Sequence, residues 1–440
     1  MADTLAPAGS AHVAQQVDLQ RHAPAHARLL VAAIVLGIYS GHWGLMGVPV
    51  PLDRLAMAGA VALFVVWWAR GRPVDWGFDP VHVLMLLSVL GMLVSASAAG
   101  TLGDRASQFA LLDRVVMPYL AFFLAPVALA GDRSRRLLVQ ALTVTGAYVA
   151  VTTIVSVTGP DWLLFPRYLA DPSVGIAHDR GRGPSAESVG TGLLLVVCGA
   201  AAVINAVRTR GTARAASGTT GALCTAAAFL TLTRSIWVSM VAVVLAVVVM
   251  FPEVRRRLPA LVAAVALVVG AALTLVPGLG STALDRLGTQ RTLEDRAYTN
   301  DAAIGMVVHH PLTGVGWGRF VAESPDYIFQ HDTGPLTNVD IEVHNVFLSR
   351  ASELGVPAAL LFAAIVLLGP VRAVVRRGTG PATETGTDIR ALATVAVVAW
   401  LVVSMVTGLS FAFANLLVWA IAGLALGLRA VPAAPVQERS

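Results

Sequence analysis

Three polar residues carry groups that chemistry on an anionic substrate requires, in a chain that is otherwise largely apolar. Arg234 belongs to Thr233-Arg234-Ser235, the polar interruption of the apolar stretch 219–251. Arg296 lies early in a helical pattern, TLEDRAYTNDAAIGMVVHH, which His310 and Pro311 end. His344, followed by Asn345, opens a short amphipathic segment that abuts the next apolar run. A guanidinium fork matches phosphate or pyrophosphate oxygens in pairs. A neutral imidazole near its free pKa can take a proton from a hydroxyl, typically worth about 10²–10⁴ in rate. Each residue also has a plainer reading. Arg234 can snorkel to outer headgroups, although an arginine at the bend of an apolar hairpin costs roughly 2.5–3.5 kcal/mol unless water or an anion receives it. Arg296 can form a weak surface pair with Glu294, Asp295 or Asp301. His344 can cap or bridge at an interface.

Other polar features of the same region are weaker. Gly314-Val-Gly316-Trp-Gly318 lacks the spacing of a dinucleotide fingerprint, and its glycines suit a tight turn or a close backbone approach to a ligand. His309 and His310 are helix neighbours pointing about 100° apart, a poor metal pair. Asp326, Asp332, Asp340 and Glu342 match no cation-ligand spacing and read as a solvated acidic loop.

The elements that must position these groups are membrane helices. The 440 residues are 56% hydrophobic and only 13% charged, well below the quarter usual in globular chains. All 31 basic residues are arginine, scattered among apolar runs rather than gathered into a nucleic-acid-binding stripe. Cys198 and Cys224 both lie inside apolar runs and suggest no disulfide, zinc site or redox motif. A bilayer core of roughly 30 Å needs about 20 apolar residues as helix. Apolar runs near 28–46, 52–69, 81–99, 111–130, 136–157, 190–206, 219–233, 235–251, 258–277, 355–374, 390–408 and 411–428 therefore predict an all-α protein of twelve spans.

Arginine clusters at 70/72, 133–136, 208–214, 255–257 and 372–377 share one side only if 219–251 is two spans. Both termini are then cytoplasmic, and Arg234 lies at the outer end of a helical hairpin. The chain divides into a tail (1–27), spans one to nine (28–277), a large extracytoplasmic loop (278–354), spans ten to twelve (355–428) and a second tail (429–440). Through residue 343 that loop has nine acids against four arginines, a net of five negative charges that agrees with an outer placement. In that loop Thr292-x-x-Asp295 fits a helix start, and a short helix over about 342–354 places His344, Leu348 and Ala351 on one face.

HNVFLSRASELGVPAALLF (344–362) resembles the His-Asn … Glu-x-Gly signature of the O-antigen ligase and O-antigen polymerase superfamily. DRAYTNDAAIGMVVHHPLTGVGWGRF (295–320) is similar to its Arg … Pro-x-x-Gly-x-Gly-x-x-Phe block, and TRSIWVSM (233–240) to its helix-junction motif. The resemblance implies a C-type membrane glycosyltransferase at the outer face of the cytoplasmic membrane, working without nucleotide sugars, cofactor or metal. The donor would be a glycan on polyprenyl pyrophosphate, and the acceptor a lipid-linked sugar, another glycan or a protein. His344 would activate or orient the acceptor hydroxyl. Arg234 and Arg296, with Arg180 or Arg182 of GRGPSAES, would hold the pyrophosphate, and Asn345, Glu353, Gly314 and Gly316 would support the site. Ligase and polymerase share this signature. The competing class is a secondary transporter of a small anion such as bicarbonate, although no likeness between halves is found.

Overall fold

The computed structural model describes residues 23–71, 78–175, 180–256, 258–275, 278–288, 291–328, 342–376, 384–408 and 412–428. Long apolar runs fold as helices because a helix satisfies its own backbone groups, which lipid cannot do. In chain order these are α1 (Ala25–Leu36), α2 (Leu52–Ala69), α3 (Pro80–Ala98), α4 (Arg105–Ala128) and α5 (Asp132–Thr158). Then come α6 (Ser188–Arg208), α7 (Gly211–Leu230), α8 (Arg234–Met250), α9 (Leu258–Leu275) and α10 (Leu279–Gly288). The last five are α11 (Arg291–His309), α12 (Val346–Leu354), α13 (Val356–Val375), α14 (Glu384–Ser404) and α15 (Ala412–Leu426). No strand occurs among the described residues.

Seven helices, α2 to α6 with α13 and α14, are long and apolar enough to cross a bilayer. The pair α9–α10, bent by 106°, makes an eighth if taken as one span. Each of the twelve expected segments overlaps a helix, but the rest fall short for identifiable reasons. Ala25–Tyr39, Arg234–Met250 and Ala412–Leu426 are apolar but short, and α7 is diluted by glycine, serine, threonine and arginine. The molecule is an all-α, multi-pass membrane protein.

Small residues let the central helices approach closely, as they must where no hydrophobic force drives helices together. A Cβ on Gly423 would lie 2.1 Å from the Phe122 carbonyl oxygen, so α15 is seated directly on the backbone of α4. Near mid-span, Gly146, Cys198 and Cys224 bring α5, α6 and α7 together. The helices α6, α14 and α15 are mostly buried, whereas α2 and α3 turn apolar side chains such as Leu63, Leu87 and Val94 outward. That inversion is expected of a solute of lipid.

Contacts between loops sort them into two ends. At one end the Asp79–Arg372 pair joins α3 to α13, and Arg208 of α6 pairs with Asp388 (2.8 Å) and Glu384 (3.0 Å) of α14. At the other, Thr101 Oγ1 donates to the Trp317 carbonyl (2.7 Å), and His42 stacks on Tyr168 with centroids 5.1 Å apart. Gly181 N–H donates to the Leu230 carbonyl (2.9 Å), and Asn345 Nδ2 to that of Met405 (3.2 Å). All the candidate residues gather at this second end.

Candidate active site

The turn between α7 and α8 aims Arg234. Thr231 Oγ1 donates to the Ala228 carbonyl (2.7 Å), Thr233 Oγ1 donates to that of Thr231 (2.9 Å), and Leu232 has φ +49°. A non-glycine residue in the left-handed region costs on the order of 1–3 kcal/mol and persists only where its surroundings impose it. Trp237 does so: its ring stacks on Phe229 and its Nε1 donates to the Phe229 carbonyl (3.2 Å). Arg234 is thus the first residue of α8, a cation at the positive end of a helix dipole. That placement is unfavourable for the resting protein and favourable for a bound anion.

Arg180 arrives beside it on the α5–α6 loop. A Cβ on Gly181 would stand 2.7 Å from Thr153 Cγ2 and 2.9 Å from the Leu230 oxygen, so glycine is what permits the loop to dock on this turn. Arg296, half-buried near the start of α11, completes the cluster. Burial lowers the Arg296 pKa, and the Arg234 and Arg180 guanidinium groups lower it further. Burial likewise lowers Arg180, with Glu187 opposing and Arg234 adding to the effect. Each cation is therefore within electrostatic reach of the others. Arg296 Nε is buried with no hydrogen-bond partner among the described residues.

Glu187 balances the cluster in part. It caps α6, accepting from Val189 N (2.9 Å) and Gly190 N (2.6 Å). Burial pushes its pKa up to about 7, against the pull of those amides and of Arg180. Three guanidinium groups within electrostatic reach of one another, with the Glu187 carboxyl beside Arg180, make a cationic group of the kind that suits a diphosphate.

His344 is joined to this cluster through α11. Its Nδ1 lies 3.5 Å from Thr299 Oγ1, and Thr299, one turn beyond Arg296, donates that hydroxyl to the Arg296 carbonyl (3.2 Å). With the hydroxyl proton directed to that carbonyl, the Thr299 oxygen can accept from Nδ1, the tautomer in which Nε2 carries the lone pair. Glu342, two residues earlier, pairs with Arg114 of α4 at 2.8 Å. The short helix begins at Val346 rather than near 342, because Asn345 is its cap: Oδ1 accepts from Phe347 N (2.9 Å) and Leu348 N (3.0 Å). His344 therefore precedes the helix and does not share a face with Leu348 and Ala351.

The glycine turn meets protein, not a ligand. A Cβ on Gly314 would lie 2.3 Å from the Glu353 carbonyl carbon, and one on Gly316 2.5 Å from Ala99 Cβ. Val315 N and Gly316 N donate to the Ser352 and Glu353 carbonyls (both 2.9 Å), and Gly318 N donates to Glu353 Oε1 (3.0 Å). Arg350, buried beside Glu353, lies 4.9 Å over the Trp317 ring. Burial raises the Glu353 pKa to about 7 and lowers that of Arg350, each opposed by the other's charge. Gly314, Gly316 and Glu353 thus fix α12, and with it Asn345 and His344, to α11's end.

Arg182 does not join the cations. It is buried, and its guanidinium donates to the Val174 carbonyl (2.8 Å) and the Leu169 carbonyl (3.4 Å), which ties down the loop. Only Gly181 separates it from Arg180 in sequence, yet the two guanidinium groups have different surroundings. His309 Nδ1 donates to the Gly305 carbonyl (2.8 Å), a local helix contact. Asp326 is exposed, whereas Asp332 and Asp340 lie outside the described residues, as do the side chains of Thr292 and Asp295. Sequence reasoning missed Glu187, Thr299 and Arg114. The one available signal was Asp113-Arg114, an ionisable pair inside the apolar run 111–130.

The fold and this site define a multi-pass membrane protein with an anion-binding cluster and a histidine at one end of its helix bundle. Residues 219–363, 145 of the 440, match the family model described as O-antigen ligase. All three resembling blocks lie inside that segment, and the match supports the O-antigen ligase and polymerase superfamily for this chain. It also supports a function of that broad type, and gives none to a transporter. No curated protein matches the chain.

Proposed function

We propose that this protein transfers a glycan from a polyprenyl-pyrophosphate carrier to an acceptor hydroxyl at the outer face of the cytoplasmic membrane. The observation that carries the reading is that Arg180, Arg234 and Arg296 lie within electrostatic reach of one another, with Arg296 one turn before the threonine beside His344. The cations bind the diphosphate while the polyprenyl tail lies along the apolar exterior. The acceptor oxygen forms a bond to the anomeric carbon as the bond from that carbon to the phosphate oxygen breaks. The electron pair departs with the pyrophosphate, whose growing charge the guanidinium groups stabilise. The acceptor proton passes to His344 Nε2, and Thr299 keeps the ring in that tautomer.

Twelve alternating helices with both termini cytoplasmic fit this reading. Arg208, Arg255 and Arg372 then lie at the cytoplasmic end and the candidate site at the opposite one. Loss of the gene distinguishes the two transfer types. Single-repeat products mark a polymerase, whereas long chains retained on the lipid carrier mark a ligase. A purified protein that releases no polyprenyl pyrophosphate from the host's lipid-linked glycan, with any acceptor fraction, would exclude both.

A further inference from the structure

Beside the cationic cluster, at the same end of the bundle, is a cleft of about 410 Å³. Its walls include His42, Phe109, Asp113, Arg114, Ser185 and Glu187. The volume lies within the range of small-ligand sites, about 300–1,000 Å³. The chemistry of the walls is specific: carboxylates, a guanidinium, a hydroxyl and an imidazole for hydrogen bonds, with aromatic faces from Phe109 and Phe413. Hydroxyl-rich rings with apolar faces need that mixture.

The backbone under Asp113 and Arg114 is irregular. Met117 N–H reaches back five residues to the Leu112 carbonyl, making a π-turn over Leu112–Val116. Pro118 accounts for it in part, since it has no N–H to offer the Arg114 carbonyl. Such bulges concentrate at functional positions because they re-aim side chains out of the helical register. Here both re-aimed groups are secured from outside the helix. Asp113 accepts from Arg54 at 2.7 Å, and Arg114 meets Glu342 at 2.8 Å.

The cleft's position follows from these pairs. On one side Glu187 stands between it and Arg180, so a carboxylate borders it where the diphosphate would bind. On the other side the Arg114–Glu342 pair ties its wall to the irregular segment that carries His344. A carboxylate boundary repels phosphate and accepts hydroxyl donors, and a nucleophile must approach opposite the leaving group. We propose that this cleft is the acceptor subsite, holding the sugar whose hydroxyl attacks, with Asp113, Arg114 and Glu187 as positioning residues. The inference rests on the transferase reading above.

The test fills the cleft without removing a contact. Ala106 lines it and is exposed, so Ala106→Trp adds bulk there, with Ala106→Ser as the conservative control. The full-length protein in nanodiscs is given the lipid-linked glycan extracted from its host. Three quantities are measured: transfer to the host acceptor fraction, release of the glycan to water, and binding of undecaprenyl pyrophosphate. The proposal expects transfer by Ala106→Trp to fall about tenfold or more. Release to water and carrier binding should stay at wild-type levels, with Ala106→Ser normal throughout. If release to water falls equally while carrier binding persists, the cleft holds the donor's leading sugar and the acceptor assignment is overturned. Unchanged transfer removes the cleft from the reaction altogether. A wild-type protein that turns over no donor overturns the transferase reading, and this assignment with it.

Discussion

Replacing Arg296 by Met separates an anion-binding guanidinium from a structural one. The isosteric stem keeps the packing of a half-buried side chain on α11 and deletes the charge. In the resting protein that charge is a liability, because burial and the neighbouring Arg234 and Arg180 all disfavour it. Its Nε has no hydrogen-bond partner among the described residues, so deletion orphans no identified acceptor there. Thermal stability should be unchanged or slightly higher. Transfer should suffer heavily, since removing one donor to a developing oxyanion costs about 2.7–4 kcal/mol, or 10²–10³ in kcat. Arg296→Lys should recover part of the loss, because an ammonium restores charge without the paired donors. Melting in detergent and turnover of lipid-linked glycan are measured on the same preparations. A clear fall in melting temperature with only a several-fold loss of rate would refute the reasoning. Arg296 would then be the partner of a nearby acid such as Glu294 or Asp295.

Three further outcomes follow from the geometry. His344→Ala should lower transfer by about 10²–10⁴ with membrane insertion intact, and Thr299→Val by less, since it only loosens the ring's tautomer; near-wild-type transfer by His344→Ala would remove it from the mechanism. Glu353→Ala should destabilise the protein by about 1–3 kcal/mol, because it leaves the Gly318 N–H without its acceptor and removes the charge that opposes the burial of Arg350; denaturant or thermal unfolding reads this directly. Glu187 should give pH dependence: below about 7 it is neutral and the cluster gains net positive charge, so carrier binding strengthens as pH falls, and Glu187→Gln should flatten that profile. The sign for stability is the same, since a carboxyl raised above its ordinary 4.5 contributes fully below that value and loses its contribution as pH rises through about 7.

Several site features were visible in the chain because their residues are costly where they stand. Arg234 interrupts an apolar stretch, and Arg296 and His344 are polar groups beside membrane segments, so their types alone invited a function. The glycines of 314–318 were visible too, but not what they approach. Whether backbone, side chain or ligand fills the space beside a missing Cβ depends on contacts made across more than a hundred residues, here with Ala99 and Ser107. Asn345 and Glu353 belong to the same motif as His344, yet one caps α12 and the other holds Gly318 N–H. A motif records which residues occur together without recording which of them face the substrate.

Composition and apolar run length by themselves determined a helical membrane protein, because burial in lipid forces backbone groups to pair within each segment. They also placed a break at 233–235, where three polar residues interrupt an apolar pair. Only the tertiary structure set Arg180 apart from Arg182, because Gly181 docks the loop on the 230–233 turn and the two guanidinium groups meet different surroundings. It alone brought Glu187 against the cluster and Arg114 against Glu342. Those pairings depend on how helices distant in sequence align end to end, and local periodicity carries no record of that.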